Sequence, residues 1–217
     1  MFKLMKIVFI IKKIIKYLYY FIIMNIYIKY LIFIINLYIL FSIIEYLVHK
    51  YLMHSKMNTK MNTKMNTEIA TSHNIHHKYT KNDMNLNYSN IYNKNKNKYL
   101  GLYFLWKETF FVLLFGLTIA FILNIFYQLN PLFIIIITIL FAYYQSSLWN
   151  TIHPDIHHID YKLKLNEGIP PLEIYKKLPY YDWLKANHMK HHIYKNEKKG
   201  NYNVTLPLAD YLFFSYN

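Results

Sequence analysis

The sequence predicts an all-α, polytopic membrane protein of about three to four transmembrane helices, with its histidines gathered on one aqueous face. Three observations carry that expectation. The chain is 55% hydrophobic yet has a formal charge of +14, so apolar and basic residues must be segregated, as in membrane segments alternating with basic aqueous stretches. A block at 110–149 contains no charged residue, and about 20 apolar residues suffice to cross a bilayer as a helix. All eleven histidines fall in four short clusters, His49-x4-His54, His73-x2-His76-His77, His153-x3-His157-His158 and His188-x2-His191-His192.

Taken in order, residues 1–48 read as a basic start followed by a retained membrane anchor of one or two spans. From Tyr17 to Val48 only Lys29 and Glu45 are charged. A separate first arm beginning near Leu4 would hold Lys12, Lys13 and Lys16 at its centre, where charge is costly. No small-residue cleavage site follows, so a cleaved leader is not expected. Residues 49–109 form an aqueous segment with the first two clusters, including the MNTK-MNTK-MNTE repeat at 57–68. The repeat and the Asn/Lys-rich stretch 93–98 read as solvated or weakly helical linkers. Residues 110–149 form a hairpin with arms at 110–127 and 132–149 that turns at Asn130-Pro131. A hairpin returns the chain to the side it left, so the clusters in 49–109 share a face with those in 150–217. The stretches 49–100 and 150–217 carry nine lysines each and the turn 128–130 carries none, which places the histidines in the cytosol by the positive-inside bias. None of the 25 basic residues is arginine, and no nucleic-acid partner is expected.

Neutral imidazole is the commonest protein ligand for transition metals, and a chain without cysteine offers neither disulfides nor thiolate ligands. Helical phase says which rings work together. At about 100° per residue, positions i, i+3 and i+4 share a face, uniting His73 with His76 and His77, His188 with His191 and His192, and His153 with His157. His158 points about 140° away from His153 on the same geometry and is set aside as dispensable. His49 and His54, five apart, converge only if the helix ends or bulges between them, and π-type bulges are frequent at functional sites. Ten ligand candidates remain, suiting two metals at roughly five each.

The boxes resemble those of the fatty acid hydroxylase and sterol desaturase superfamily, membrane-bound histidine-box di-iron oxygenases, and look nearest to the fatty acid 2-hydroxylases. EYLVHKYLMH (45–54) is similar to that family's first box, HNIHHKY (73–79) to its HxxHH box, and WNTIHPDIHH (149–158) and NHMKHHIYK (187–195) to its third and fourth. The stretch 201–213, with an Asn-aromatic-x-Val-Thr opening and an Asp-x-Leu-Phe close, resembles the family's tail. The resemblance covers about 45–213, read as one integrated catalytic domain, with the boxes in the expected order. Three positions depart from the pattern: Asn203 stands where Gly is common, Ala209 where Trp is common, and Phe214-Ser215 replaces a Gly-Thr ending. All lie outside the boxes and bear on substrate fit and tail packing.

The resemblance implies a transmembrane bundle capped by a cytosolic histidine-rich helical layer, in the endoplasmic reticulum membrane. It implies an O2-dependent oxidoreductase with two iron ions that hydroxylates a lipid C–H bond on a fatty acyl or sphingolipid acyl chain, or on a sterol. The implied ligands are His49, His54, His73, His76, His77, His153, His157, His188, His191 and His192, and zinc could occupy them in purified samples. Desaturation on the same centre is an alternative. A divalent-metal transporter or metal-binding membrane protein is the rival from another class, but transport calls for ionisable ligands along a path within the spans. The reaction needs two electrons, and the chain has neither a Gly-rich dinucleotide fingerprint nor a cytochrome b5 domain: after His153-Pro154 the expected Gly-Gly is replaced by Asp155-Ile156. An external donor, cytochrome b5 with its reductase or a ferredoxin, is therefore expected to dock on Lys190, Lys195, Lys198 and Lys199.

Other residues carry two readings each. Asp155, Asp160 and Asp182 could orient imidazoles, but a helix-start carboxylate is the plainer role, and Pro154-Asp155 reads as the first turn of a helix. Glu45 is a buried-charge candidate for orienting His49, and Asp210 reads as capping or tail packing. Trp149 and Trp183 read first as interfacial anchors and second as the lining of a lipid path.

Overall fold

The computed structural model describes residues 16, 20, 26–54, 64–86, 92–93, 98–99, 101–160, 162–193 and 200–216. The first arm considered near Leu4 lies outside these residues. The architecture is helical: α1 (Ile26–Leu47), α2 (Lys64–Tyr79), α3 (Trp106–Tyr127), α4 (Pro131–Ile156), α5 (Tyr181–Ile193) and α6 (Leu208–Leu212). The one sheet among the described residues is an antiparallel pairing of β1 (Tyr92–Asn93) with β2 (Lys98–Tyr99), which falls on the expected linker. Lys64, the last residue of the second repeat unit, opens α2, and the third unit (65–68) is helical.

Three helices are long and apolar enough to cross a membrane: Ile26–Met53, Trp106–Tyr127 and Pro131–Ile156. They pack on one another through Phe33, Leu37 and Phe41 of α1, Ala120 of α3 and Ile134 of α4. Gly116 permits the closest approach, since a Cβ there would lie 2.5 Å from the Phe41 ring. Their outer faces are no less apolar. Leu31, Phe110, Ile125, Phe126, Leu132 and Leu140 are all more than half exposed, a surface that calls for hydrocarbon rather than water.

The turn between α3 and α4 forms at the expected residues. Gln128 caps α3 in the left-handed region at φ 54°, Asn130 caps α4 by accepting the Leu132 N–H at 2.8 Å, and Pro131 takes the first helical position, where its missing N–H costs nothing. Both arms run further than 110–127 and 132–149. α3 starts at Trp106, where Glu108 accepts the Leu105 N–H at 3.0 Å. α4 continues past Trp149 to Ile156, with Pro154 inside its last turns. Pro154-Asp155 therefore ends a helix instead of starting one, because buried packing along 145–154 extends α4 beyond its uncharged stretch. The end of α1, the start of α3 and the end of α4 lie together, and α2 and α5 form a layer across that end.

Candidate metal centre

Each histidine owes its position to a specific backbone feature. α1 passes directly into a π-helical turn, Val48–Met53, closed by the bond from the His54 N–H to the His49 carbonyl at 3.2 Å. This widened turn brings rings five residues apart into a stack with centroids at 5.1 Å. In α2 and α5 the i, i+3, i+4 spacing presents His73, His76 and His77, and His188, His191 and His192, to a common centre. His153 and His157 come from the end of α4. His158 takes the left-handed position just past it at φ 54°, is exposed, and belongs to neither metal-binding group.

Two groups result. The ring nitrogens of His49, His54, His73, His77 and His191 lie within 4.8 Å of one another, as do those of His76, His153, His157 and His192. Each adjacent pair is split: His77 and His191 join the first group, His76 and His192 the second. Neighbours on a helix point about 100° apart, so α2 and α5 each contribute to both groups. Across the boundary the rings of His77 and His192 stack at 4.1 Å. His188 belongs to neither group, but its Nε2 is 3.1 Å from Nε2 of His192.

The donor set fits metal ions better than it fits itself. Nε2 of His73 lies 3.1 Å from Nε2 of His49, His54 and His77 alike, and one ring nitrogen, with one hydrogen or one lone pair, cannot satisfy three such partners. Metal–imidazole bonds of about 2.0–2.1 Å put neighbouring ligand nitrogens about 2.9–3.4 Å apart. The observed separations, including 2.9 Å for His54 with His191, 3.2 Å for His76 with His192 and 3.1 Å for His76 with His153, match that range. The opposite nitrogen is anchored on several rings: Nδ1 of His153 pairs with the Leu102 carbonyl at 3.1 Å, that of His157 with Met84 at 2.8 Å, that of His191 with Gly200 at 2.7 Å, and that of His49 with Tyr202. A carbonyl can only accept, so these rings carry hydrogen on Nδ1 and turn an Nε2 lone pair inward.

Burial sets the charge state. It holds His73, His76, His77, His188 and His192 well below the ordinary histidine range, with neighbouring imidazoles adding to the effect. Burial also lowers His157, to about 4, against the opposing bond to Met84. The rings are therefore neutral near pH 7, the form a metal binds.

The carboxylates serve elsewhere. Glu45 accepts the Val204, Thr205 and Leu206 N–H groups at 2.8, 2.8 and 3.0 Å and so fixes the stretch of chain whose Gly200 and Tyr202 carbonyls hold His191 and His49. Asp210 braces the same segment by accepting the Tyr202 and Asn203 N–H groups at 2.8 and 2.7 Å. Asn203 donates to the Ser42 carbonyl at 2.8 Å, and Ala209 is fully buried beside Ser42, so these two departures are packed, whereas Phe214 is 96% exposed. Asp155 pairs with Lys185 at 2.7 Å and Lys176 at 3.4 Å, while Asp160 and Asp182 are exposed. Trp149 is buried among the histidines instead of sitting at an interface, with its ring 5.0 Å from His153 and 5.9 Å from His49. Trp183 stacks on Tyr216 at 6.0 Å. Lys195, Lys198 and Lys199 lie outside the described residues.

A narrow, open cleft reaches this layer between α1, α3 and α4, with His49 and Trp149 in its lining. Sequence reasoning missed the four carbonyl anchors and the cleft, because backbone carbonyls leave no signature in residue type. Comparison with models of protein families, with curated proteins and with solved structures finds no match to the chain.

Proposed function

We propose that this chain is a membrane-bound di-iron oxygenase that hydroxylates a C–H bond of a lipid, either an acyl chain or a sterol. The observation that carries the reading is the pair of adjoining imidazole groups at the head of an apolar cleft between membrane-crossing helices. His49, His54, His73, His77 and His191 would hold one ion, and His76, His153, His157 and His192 the other, with His188 beside them. Iron held there would supply O2 activation: two electrons and two protons from an external donor, with two more electrons from the C–H bond, would leave one oxygen atom on carbon as a hydroxyl and release the other as water.

The protein's own part is positional. The Nδ1–H bonds to Leu102, Met84, Gly200 and Tyr202 fix ring orientation, and neutral rings allow a change of metal oxidation state without accumulated ligand charge. Burial of the layer excludes water, and the cleft admits an apolar substrate from the bilayer. A histidine layer at one end of the helices supports this reading over transport, which needs a path of ligands through the spans. Lysine placement supports a cytosolic layer; the family resemblance supports the endoplasmic reticulum membrane, and the lack of a dinucleotide fingerprint supports an external donor of the cytochrome b5 or ferredoxin type.

The test is lipid profiling of cells expressing the chain or its His191→Ala variant. A lipid gaining one oxygen atom only with the unaltered chain supports hydroxylation. A lipid losing two hydrogens identifies a desaturase, and identical profiles reject the oxidase reading.

A further inference from the structure

One residue lining the cleft, Trp149, carries a polar group that the histidine layer does not use. Trp149 is 2% exposed, yet its indole Nε1 has no hydrogen-bond partner, and leaving a buried N–H unpaired costs about 1–3 kcal/mol. The ring cannot easily turn to find one. It stacks on Phe104 at 4.5 Å and 11° and meets His153 at 5.0 Å. One turn earlier on α4, buried Gln145 also lines the cleft.

Along α3 the lining changes character. Lys107 and Glu108, 3.5 Å apart, stand in the first turn, and Phe111, Val112 and Phe115 follow. At 1.5 Å per residue, Lys107 to Phe115 spans about 12 Å. The polar end of the cleft therefore lies at the histidine layer and the apolar end descends into the membrane.

We propose that Trp149 is a positioning residue that donates its Nε1–H to the carboxyl or acyl oxygen of a single-chain lipid, whose hydrocarbon runs down α3 past Val112 and Phe115. The inference rests on the oxygenase reading for its site but concerns binding alone. The hydrogen bond holds the oxygen-bearing end beside His49 and His153.

The test uses the full chain in nanodiscs. Of the three tryptophans, Trp106 and Trp183 are replaced by Phe, leaving Trp149 as the fluorophore. Palmitic acid brominated beside the carboxyl should quench it more strongly than stearic acid dibrominated at mid-chain, and plain palmitic acid should reverse the quenching. In the otherwise unaltered chain, Trp149→Phe should raise the Kd for radiolabelled palmitic acid about threefold to tenfold, the worth of one hydrogen bond, with metal content unchanged. Equal or stronger quenching by mid-chain bromine, better displacement by cholesterol than by palmitic acid, or a Kd change under about twofold would overturn the proposal. Should Trp149→Phe fail to fold, the quenching comparison still decides. No turnover is measured, so failure here leaves the oxygenase reading standing, and failed lipid profiling leaves this binding result intact.

Discussion

Glu45 grips Thr205 twice: the Thr205 backbone N–H donates to Oε1 at 2.8 Å, and its hydroxyl donates to Oε2 at 2.9 Å. The contact ties α1 to the tail segment that carries two of the carbonyl anchors. Glu45→Gln replaces an acceptor with an amide that faces N–H donors. Hydrogen bonds to charged groups are worth about 1.5–3 kcal/mol, so the variant should lose about that much stability and bind less metal. Thr205→Val, which removes only the hydroxyl, should cost about 1 kcal/mol. Thermal unfolding in nanodiscs with elemental analysis measures both, and an unchanged Glu45→Gln protein would deny the clamp its role.

His191 and His158 should behave oppositely. His191 is fully buried, within 2.9 Å of His54 and anchored to Gly200, whereas His158 is exposed. After anaerobic iron reconstitution, two ions per chain are expected in the unaltered protein and in His158→Ala, and a clear deficit in His191→Ala. Equal loss in both variants would contradict the two-group assignment.

What the sequence made legible follows from local periodicity. The phase of HxxHH on a helix, the divergence of His158 and the turn at Asn130-Pro131 are set by residues near one another in the chain, and each is found as expected. The His49 and His54 pairing was legible only as a condition, met by the π-helical turn Val48–Met53. Long-range packing was not legible. Trp149 ends an apolar block, where the same amphipathic ring suits an interface or a core, and only the approach of Phe104 and His153 decides. The extension of α4 through Pro154 likewise depends on neighbours that bury 145–154.

Acid should destabilise the metal-free protein. Burial holds the folded-state pKa values of His73, His76, His77, His157, His188 and His192 below the ordinary histidine value of about 6.5. Below that value the unfolded chain binds protons that the folded chain excludes, so stability is full above about 6.5 and falls as pH drops. For His157 the loss levels off near pH 4; for the others it continues further down. The slope is at most about 1.4 kcal/mol per pH unit for each histidine. Denaturant unfolding at stepped pH should show this fall, and His157→Gln should shallow it by one histidine's share. A flat profile between pH 7 and about 5 would contradict neutral burial.

Gly101 sets how closely the loop before α3 approaches α2. Its φ is +75°, and a Cβ there would lie 2.8 Å from the Ser72 carbonyl oxygen, next to His73. Gly101→Ala meets backbone that cannot swing aside, besides the cost of about 1–2 kcal/mol for an L-residue in the left-handed region. The variant should lose at least that much stability, and metal content should fall as α2 shifts. Gly168→Ala, whose Cβ would meet the Phe104 carbonyl at 2.7 Å, serves as a comparison of similar crowding away from His73: it should destabilise with a smaller loss of metal.

The shared metal site requires that α2 and the α4–α5 connection lie on one side of the membrane. α3 descends from that side at Trp106, turns at 128–130, and α4 returns to it at Ile156, so Lys81 and Asn166 should face one compartment and Asn130 the other. All three positions are exposed, and the chain has no cysteine, so single cysteines introduced there give an unambiguous readout. In sealed vesicles of known orientation, an impermeant thiol reagent should label Lys81→Cys and Asn166→Cys together and Asn130→Cys only from the opposite face. The lysine distribution further predicts that the paired positions are cytosolic. Labelling Lys81→Cys and Asn166→Cys from opposite faces would make a joint site for His73, His153 and His191 impossible, whatever metal the protein holds.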